Sequence, residues 1–288
     1  MTPRRTLWLT LPLLVLGLAV YAFWIEPRRL VITEFSLPVE RLTEEVRVVM
    51  IADPQPTGPH LTAERLDAVM RRAAGLEGDI VLLLGDYVST IAVVATSVTD
   101  PVDTAAALAQ LKAPMGTYAV LGNHDWLWDG PQMRRLLQAQ GITVLEDRAV
   151  LAESGTKTLW IAGLSDPVTQ TFDLPGTLAQ ADDGAPVVLL SHTPDVFPQV
   201  PASVALTLAG HTHGGQVYIP GIGRPIVPSI YGDRYAYGHI VEDGRHLFVS
   251  SGIGTTGLPV RFLTPPELVV ITLTPAPPHR IPDTQDKG

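Results

Sequence analysis

Six short apolar runs, each ending abruptly at a polar turn, constrain this chain more than any other feature. They cover residues 46–52, 80–84, 118–121, 159–162, 187–190 and 204–208. Runs of this length suit buried strands, and the segments between several of them carry helical periodicity. Between residues 61 and 74, Leu61, Leu66, Val69, Met70 and Ala73 recur at helical spacing, with Glu64, Arg71 and Arg72 elsewhere. Asp129 can cap a further helix with Pro131 in its first turn, Leu136 and Leu137 on its buried face and Gly141 as its stop. Asp103 is expected to open another through Ala107 and Leu111. Strands alternating with helices imply an α/β fold, a layered α/β/α sandwich. The apolar content of 46% is enough to fill its core.

The N-terminus is organised differently. Residues 6–25, TLWLTLPLLVLGLAVYAFWI, carry no charge. At about 1.5 Å per residue such a run matches a hydrocarbon core of about 30 Å. Arg4 and Arg5 precede it, Arg28 and Arg29 follow it, and Trp8, Tyr21 and Trp24 sit near its ends as interfacial anchors do. A cleaved signal peptide would need a small-x-small site, but Ala19-Val20-Tyr21 puts a ring where a small residue belongs. The reading is one uncleaved transmembrane helix holding the protein in the cell membrane, with basic flanks on both sides leaving its orientation open. The formal charge of −9 gives no footprint for a nucleic-acid duplex. Cysteine is absent, so any bound metal must use His, Asp, Glu, Asn or Gln.

Chemistry-bearing residues gather where the apolar runs stop. Asp53 follows the first, Gly85-Asp86 the second, Gly122-Asn123-His124-Asp125 the third, Ser191-His192 the fifth and Gly210-His211-Thr212-His213 the sixth. Sites in α/β sheets form beyond the carboxyl ends of strands, so five such turns can converge. One aspartate after a strand is more often a cap, and one histidine more often structural; the joint occurrence carries the weight. In an extended segment His211 and His213 would share one face.

This ordered set resembles the signature of calcineurin-like metallophosphoesterases over roughly residues 46–273. The strings LAGHTHGGQVYIPGIG and SSGIGTTGLPVRFLTPPEL further resemble its membrane-associated bacterial branch, some of whose members cleave lipid-linked phosphodiesters or pyrophosphates. The resemblance implies two divalent metal ions (Mn, Zn, Fe or Mg). Asp53 and His213 would hold the first, Asn123, His192 and His211 the second, and Asp86 would bridge them. It further implies that a metal-held hydroxide attacks phosphorus while His124, not itself a ligand, protonates the leaving group. The domains would be residues 1–35 as anchor and linker, 36–274 as the metallophosphoesterase domain and 275–288 as a flexible tail.

The chain departs from that pattern twice. The first motif usually has a histidine two residues after the aspartate, where this chain has Gln55; an amide oxygen is a weaker, harder ligand than imidazole. After Gly85-Asp86-Tyr87-Val88, many relatives place an aspartate that orients the catalytic histidine, and here stands Ser89, leaving Asp125 as a candidate for that role. Arg234 and Arg261 could contact a substrate phosphate but are left off the site as solvated or structural, Asp166 is read as a turn residue, and the 251–257 glycine-rich stretch as a packed turn. Two functions follow. One is a hydrolase of phosphoesters or phosphodiesters acting close to the bilayer, where tethering favours a lipid-linked substrate. The other is a non-catalytic, membrane-tethered module that binds a metal or a partner because Gln55 weakens the bimetal site. His124 favours the enzyme, since a scaffold has no chemical need for a non-ligand histidine among ligands.

Overall fold

The computed structural model describes residues 3–181 and 184–277, with side chains described from Leu11 onward. In chain order the strands are β1 (Val31–Val39), β2 (Val46–Ile51), β3 (Ile80–Leu83), β4 (Thr117–Ala119), β5 (Thr143–Val144) and β6 (Arg148–Ser154). There follow β7 (Lys157–Gly163), β8 (Val187–Leu190), β9 (Val204–Ala209), β10 (Gly238–Glu242), β11 (Arg245–Val249) and β12 (Glu267–Pro275). They form two six-stranded sheets, ordered β1-β12-β2-β3-β4-β5 and β10-β11-β9-β8-β7-β6. Strands β2 to β5 run parallel, as do β7, β8, β9 and β11. All six apolar runs are strands.

The layering is helix, sheet, sheet, helix, so the middle of the expected sandwich is double. Val48, Met50 and Leu82 of the first sheet meet Ile161, Val188 and Leu206 of the second in one cluster between the sheets. The other face of the first sheet, with Val49, Ile51, Val81 and Leu83, packs on α2 (Ala63–Ala74), α3 (Pro101–Leu108) and α4 (Asn123–Ala139). Because β2 and β3 are buried on both faces, they read as continuous apolar runs without alternation. A smaller cluster covers the second sheet's outer face and includes Leu174 of α5 (Leu174–Leu178).

Some boundaries differ from expectation, each for a local reason. The linker expected through residue 35 gives way to β1, which pairs in parallel with β12 from Val31↔Glu267 onward. The tail expected from residue 275 begins at the last residue of β12, and residues 278–288 lie outside the described ones. α3 opens earlier than Asp103, because Asp100 caps it through Val102 N at 2.8 Å and Pro101 takes its first position. α4 starts at Asn123, and Asp129, at φ −169°, interrupts it while capping the second segment through Gln132 N at 2.9 Å. The 123–128 segment therefore brings Asn123, His124 and Asp125 in on the first turn of a helix.

At the N-terminus α1 (Pro3–Val20) continues through a wide turn at Tyr21–Ile25 and a tight turn at Glu26–Arg28. The window Leu11–Arg28 is long and apolar enough to cross a membrane, and most of its side chains are exposed. Its end docks onto the domain. Arg261 N–H donates to Ala22 O at 3.0 Å, the Tyr21 and Phe262 rings meet edge to face, and Arg28 donates to Pro59 O at 3.0 Å.

Candidate metal centre

All eight residues singled out in the sequence converge beyond the carboxyl ends of the parallel strands. Asp53, Asp86 and Asn123 follow β2, β3 and β4 of the first sheet, and His192 and His211 follow β8 and β9 of the second, so the site straddles the seam between sheets. Ligand atoms of Asp53, Asp86 and His213 lie within 4.8 Å of one another, as do those of Asp86, His192 and His211. The two groups share Asp86. His192 Nε2 is 3.4 Å from Asp86 Oδ2, 3.1 Å from Asn123 Oδ1 and 3.2 Å from His211 Nδ1.

The backbone departs from easy conformations to achieve this. Asp53, Gln55, Asp86, His211 and His213 all have positive φ, between 33° and 67°. For residues with a Cβ each such conformation costs on the order of 1–3 kcal/mol and persists only when its surroundings hold it. Hydrogen bonds do so here: Asp53 N to Gly85 O, Gln55 N to Asp86 O, and His211 N to both carboxylate oxygens of Asp53. The pair His211 and His213 was expected to share a face of an extended segment. Thr212 is instead in the helical region and a 3-10 turn follows, so both rings reach the centre through left-handed backbone. Close approach is paid for by glycine as well, since a Cβ on Gly122 would lie 2.3 Å from Asp86 Oδ1.

Buried polar atoms without partners mark where a cation fits. Both ring nitrogens of His213 and the Oε1 of Gln55 are buried and unpaired, although buried acceptors are ordinarily satisfied. Gln55 is fully buried and donates from Nε2 to Asp86 Oδ2 at 2.7 Å, so it faces the centre and not solvent. His192 Nδ1 donates to Leu84 O at 2.7 Å, which leaves Nε2 turned inward and available as a ligand nitrogen, an arrangement usual for metal-binding histidines.

Charges follow the same geometry. Burial pushes Asp53 up to about 7, with His192 opposing and Asp86 reinforcing the shift. Burial would also raise Asp86, but the neighbouring imidazoles, His192 first, outweigh it and hold this carboxyl below the usual range. Burial would lower His192, yet the Asp86 carboxylate raises it to about 10. Burial and the His192 charge push His211 down to about 4, while burial and Arg261 keep His213 well below its ordinary value. Two of the candidate ligands are thus neutral imidazoles, and a third, His192, holds a proton that a cation would displace.

His124 is buried, with Nε2 4.0 Å from Asp86 Oδ2. Asp125, the candidate to orient it, does something else: its carboxylate accepts from the backbone N–H of Asp86, Tyr87, Val88 and Gly122 at 2.8 to 3.3 Å. At the third position of α4, it turns back to cap the helix and staple the 85–88 loop. His124 is met by Thr90, whose N–H donates to Nδ1 at 3.2 Å and whose hydroxyl lies 2.5 Å away. Sequence reasoning missed Thr90; its signal was a hydrogen-bonding residue directly after Ser89. Arg261 is fully buried and donates to Ser251 O, Gly252 O, Gly254 O and Thr264 O, the structural role expected of it.

The sequence profile described as Calcineurin-like phosphoesterase matches residues 46–242, which contain all eight of the converging site residues from Asp53 to His213. The chain belongs to that family. It is 31% identical to a protein of Bacillus subtilis named "Uncharacterized metallophosphoesterase YkuE", covering 88% of each chain. It is 29% identical to an "Uncharacterized metallophosphoesterase" of Aquifex aeolicus, covering 84% of this chain and 91% of the other. A zebrafish (Danio rerio) "Transmembrane protein with metallophosphoesterase domain" is 27% identical over 90% of this chain, which spans 61% of that protein. The phosphoesterase is therefore a metal-dependent phosphoester hydrolase, and its Asp/His clusters could hold the divalent ions that this family binds. Its apolar N-terminal helix and the transmembrane naming of relatives both point to membrane association.

Proposed function

We propose that the protein is a two-metal phosphoesterase acting on a lipid-linked phosphoester at the surface of the membrane that its N-terminal helix spans. The observation that carries this reading is the pair of carboxylate–imidazole groups sharing Asp86, one of them with buried, unpartnered His213 nitrogens. Asp53, Gln55 and His213 would hold one ion, Asn123, His192 and His211 the other, and Asp86 both. The ions, when bound, supply the positive charge that acidifies a water and offsets charge on the phosphoryl oxygens. The chain's own work is positioning. Leu84 O fixes the His192 ring, Asp125 fixes the loop carrying Asp86, and the Thr90 N–H at Nδ1 of His124 leaves that ring's proton on Nε2. From there it donates a hydrogen bond to the leaving oxygen and offsets the negative charge that builds on it.

The apolar cavity of about 470 Å³ beside His213 supports a lipid-linked substrate. Ile226, Leu258 and Val260 line it. Leu258 and Val260 belong to the loop that binds the end of the membrane helix through Arg261 N and Phe262. Exposed Ile91, Val93 and Val94 flank the same loop, with Val93 N–H donating to Gly257 O at 3.1 Å. A second cavity of about 460 Å³ opens beside His211 and offers room for the other substituent of a diester.

The test uses metal-stripped full-length protein and two aryl substrates, a phosphomonoester and a phosphodiester carrying a short or a long alkyl chain. Hydrolysis should return with added Mn²⁺, Zn²⁺ or Mg²⁺ and favour the long chain. No metal-restored turnover of any substrate would sink the two-metal assignment, and turnover indifferent to chain length would sink the lipid-linked substrate alone.

A further inference from the structure

A cavity of about 370 Å³ lies away from the metal centre, where the membrane helix meets α2, and Arg28, Arg29, Arg65 and Arg72 line it. This is a concentration of positive charge in a chain whose formal charge is −9. The neighbouring acids do not neutralise it. Glu26 is fully buried and taken by Arg29 and the Tyr21 hydroxyl, and Asp67 pairs with Arg71. Among the described residues no carboxylate pairs with Arg28, Arg65 or Arg72. Among the described residues the Arg28 side chain donates only to the carbonyls of Trp24 and Pro59, with its guanidinium 3.4 Å from the centre of the Trp24 ring. Arg65 donates to Arg28 O at 2.5 Å.

Gathering these guanidinium groups has a cost. Burial, and then the nearby Arg28 charge, hold Arg65 below its ordinary value. Like charges drawn together without a counter-ion indicate a site for an anion, and guanidinium groups match the paired oxygens of a phosphate. The depth of the cavity narrows which anion. It sits at the very end of the candidate membrane-spanning window, beside Trp24, an interfacial type of residue, so a helix that spans the bilayer would set it near the level of the lipid phosphates.

We infer that Arg28, Arg65 and Arg72 form a binding site for the phosphate headgroup of an acidic membrane phospholipid, separate from the catalytic centre. A bound headgroup would bridge the membrane helix, through Arg28, to α2 of the catalytic domain, through Arg65 and Arg72. The site does not depend on the identity of the hydrolysed substrate.

The full-length protein in detergent, titrated with phosphatidylglycerol or phosphatidylcholine and followed by native mass spectrometry, tests this. Phosphatidylglycerol should bind roughly 5-fold or more tightly than phosphatidylcholine, the worth of about one basic side chain at a membrane surface. Arg72→Gln should reduce that preference roughly 5-fold. Arg72 is exposed and makes no side-chain bond among the described residues, so this variant separates binding from folding. Arg65→Gln, which also loses the bond to Arg28 O, should reduce the preference at least as much. Equal binding of both lipids, or an undiminished preference in Arg72→Gln, would overturn the site. Displacement of phosphatidylglycerol by inorganic phosphate would overturn the lipid as its occupant and assign a soluble phosphate anion instead.

Discussion

Replacing Gly122 by alanine tests whether the placement of Asp86 governs activity. The backbone at Gly122, φ −102° and ψ 175°, is open to any residue, so the substitution adds volume without conformational strain. The new Cβ would lie 2.3 Å from Asp86 Oδ1, 2.7 Å from Asp86 N and 2.7 Å from His192 Cε1. All three neighbours belong to the centre, and none is the end of a flexible exposed side chain. Restoring an ordinary carbon–oxygen contact requires Asp86 or the turn to move by about 1 Å, a misplacement that costs roughly 10²-fold in rate at a preorganised site. Gly122→Ala should therefore lower kcat about 10²-fold on an aryl phosphodiester and weaken metal binding measured by calorimetry. Gly75→Ala supplies the control, since the nearest atom to its Cβ is Arg72 O at an ordinary 3.5 Å. If Gly122→Ala stays within about 3-fold of the parent while Gly75→Ala behaves normally, the position of Asp86 is not what limits the reaction.

His124→Ala should lower turnover roughly 10²- to 10⁴-fold with metal content nearly unchanged, whereas Asp86→Ala should lose metal and activity together. Equal metal loss in both, measured by elemental analysis, would make His124 a metal ligand instead of the donor to the leaving oxygen. Gln55→His should tighten one of two metal-binding events and shift preference toward Zn²⁺, because imidazole is softer than an amide oxygen; an unchanged titration would remove Gln55 as a ligand. Metal uptake near pH 7 should release protons, because Asp86 holds His192 protonated up to about 10 and a ligand nitrogen must give that proton up. Affinity should accordingly rise with pH below that value, and calorimetry in buffers of different ionisation enthalpy that finds no proton release would contradict the assignment of His192 as a ligand.

How far the sequence could be read depended on whether a signal was local. The runs at β2, β3, β8 and β9 were legible because strands covered on both faces are apolar throughout, and the polar residues ending them marked the site. β1 and β12 were not, since their pairing joins Val31 to Glu267, and nothing within VITEFSLPV announces a partner so distant. The β10–β11 hairpin did carry a local signal in Asp243-Gly244, both with positive φ, but β10 is half-exposed and neither strand carries a long apolar run. At the site, residue identity was legible and backbone conformation was not. Asp125 read as a candidate to orient His124, but four backbone N–H groups around the helix start hold its carboxylate instead. Gln55 could have faced solvent; its left-handed backbone and the bond to Asp86 turn it inward.

The segment between β11 and β12 explains why the membrane helix and the metal centre form one unit. Ile253 N–H donates to Ala52 O and Gly254 N–H to Asp53 O, so this strip closes directly over the first metal-binding turn. The side chain of Arg261 gathers the carbonyls of Ser251, Gly252 and Gly254, which locks the strip's curve from beneath. The backbone N–H of the same arginine donates to Ala22 O at the end of the membrane helix. A single buried residue thus joins the strip around Asp53 to the anchor, and β1 enters the sheet only a few residues after Arg28. Only Arg29 and Leu30 separate the candidate spanning window from β1, and a tether that short, hydrogen-bonded along its length, leaves the domain little room to swing relative to the helix. With the helix spanning the bilayer as proposed, backbone geometry would hold the apolar mouth beside His213 close to the membrane, and the proposed lipid-linked substrate would meet a site already near it.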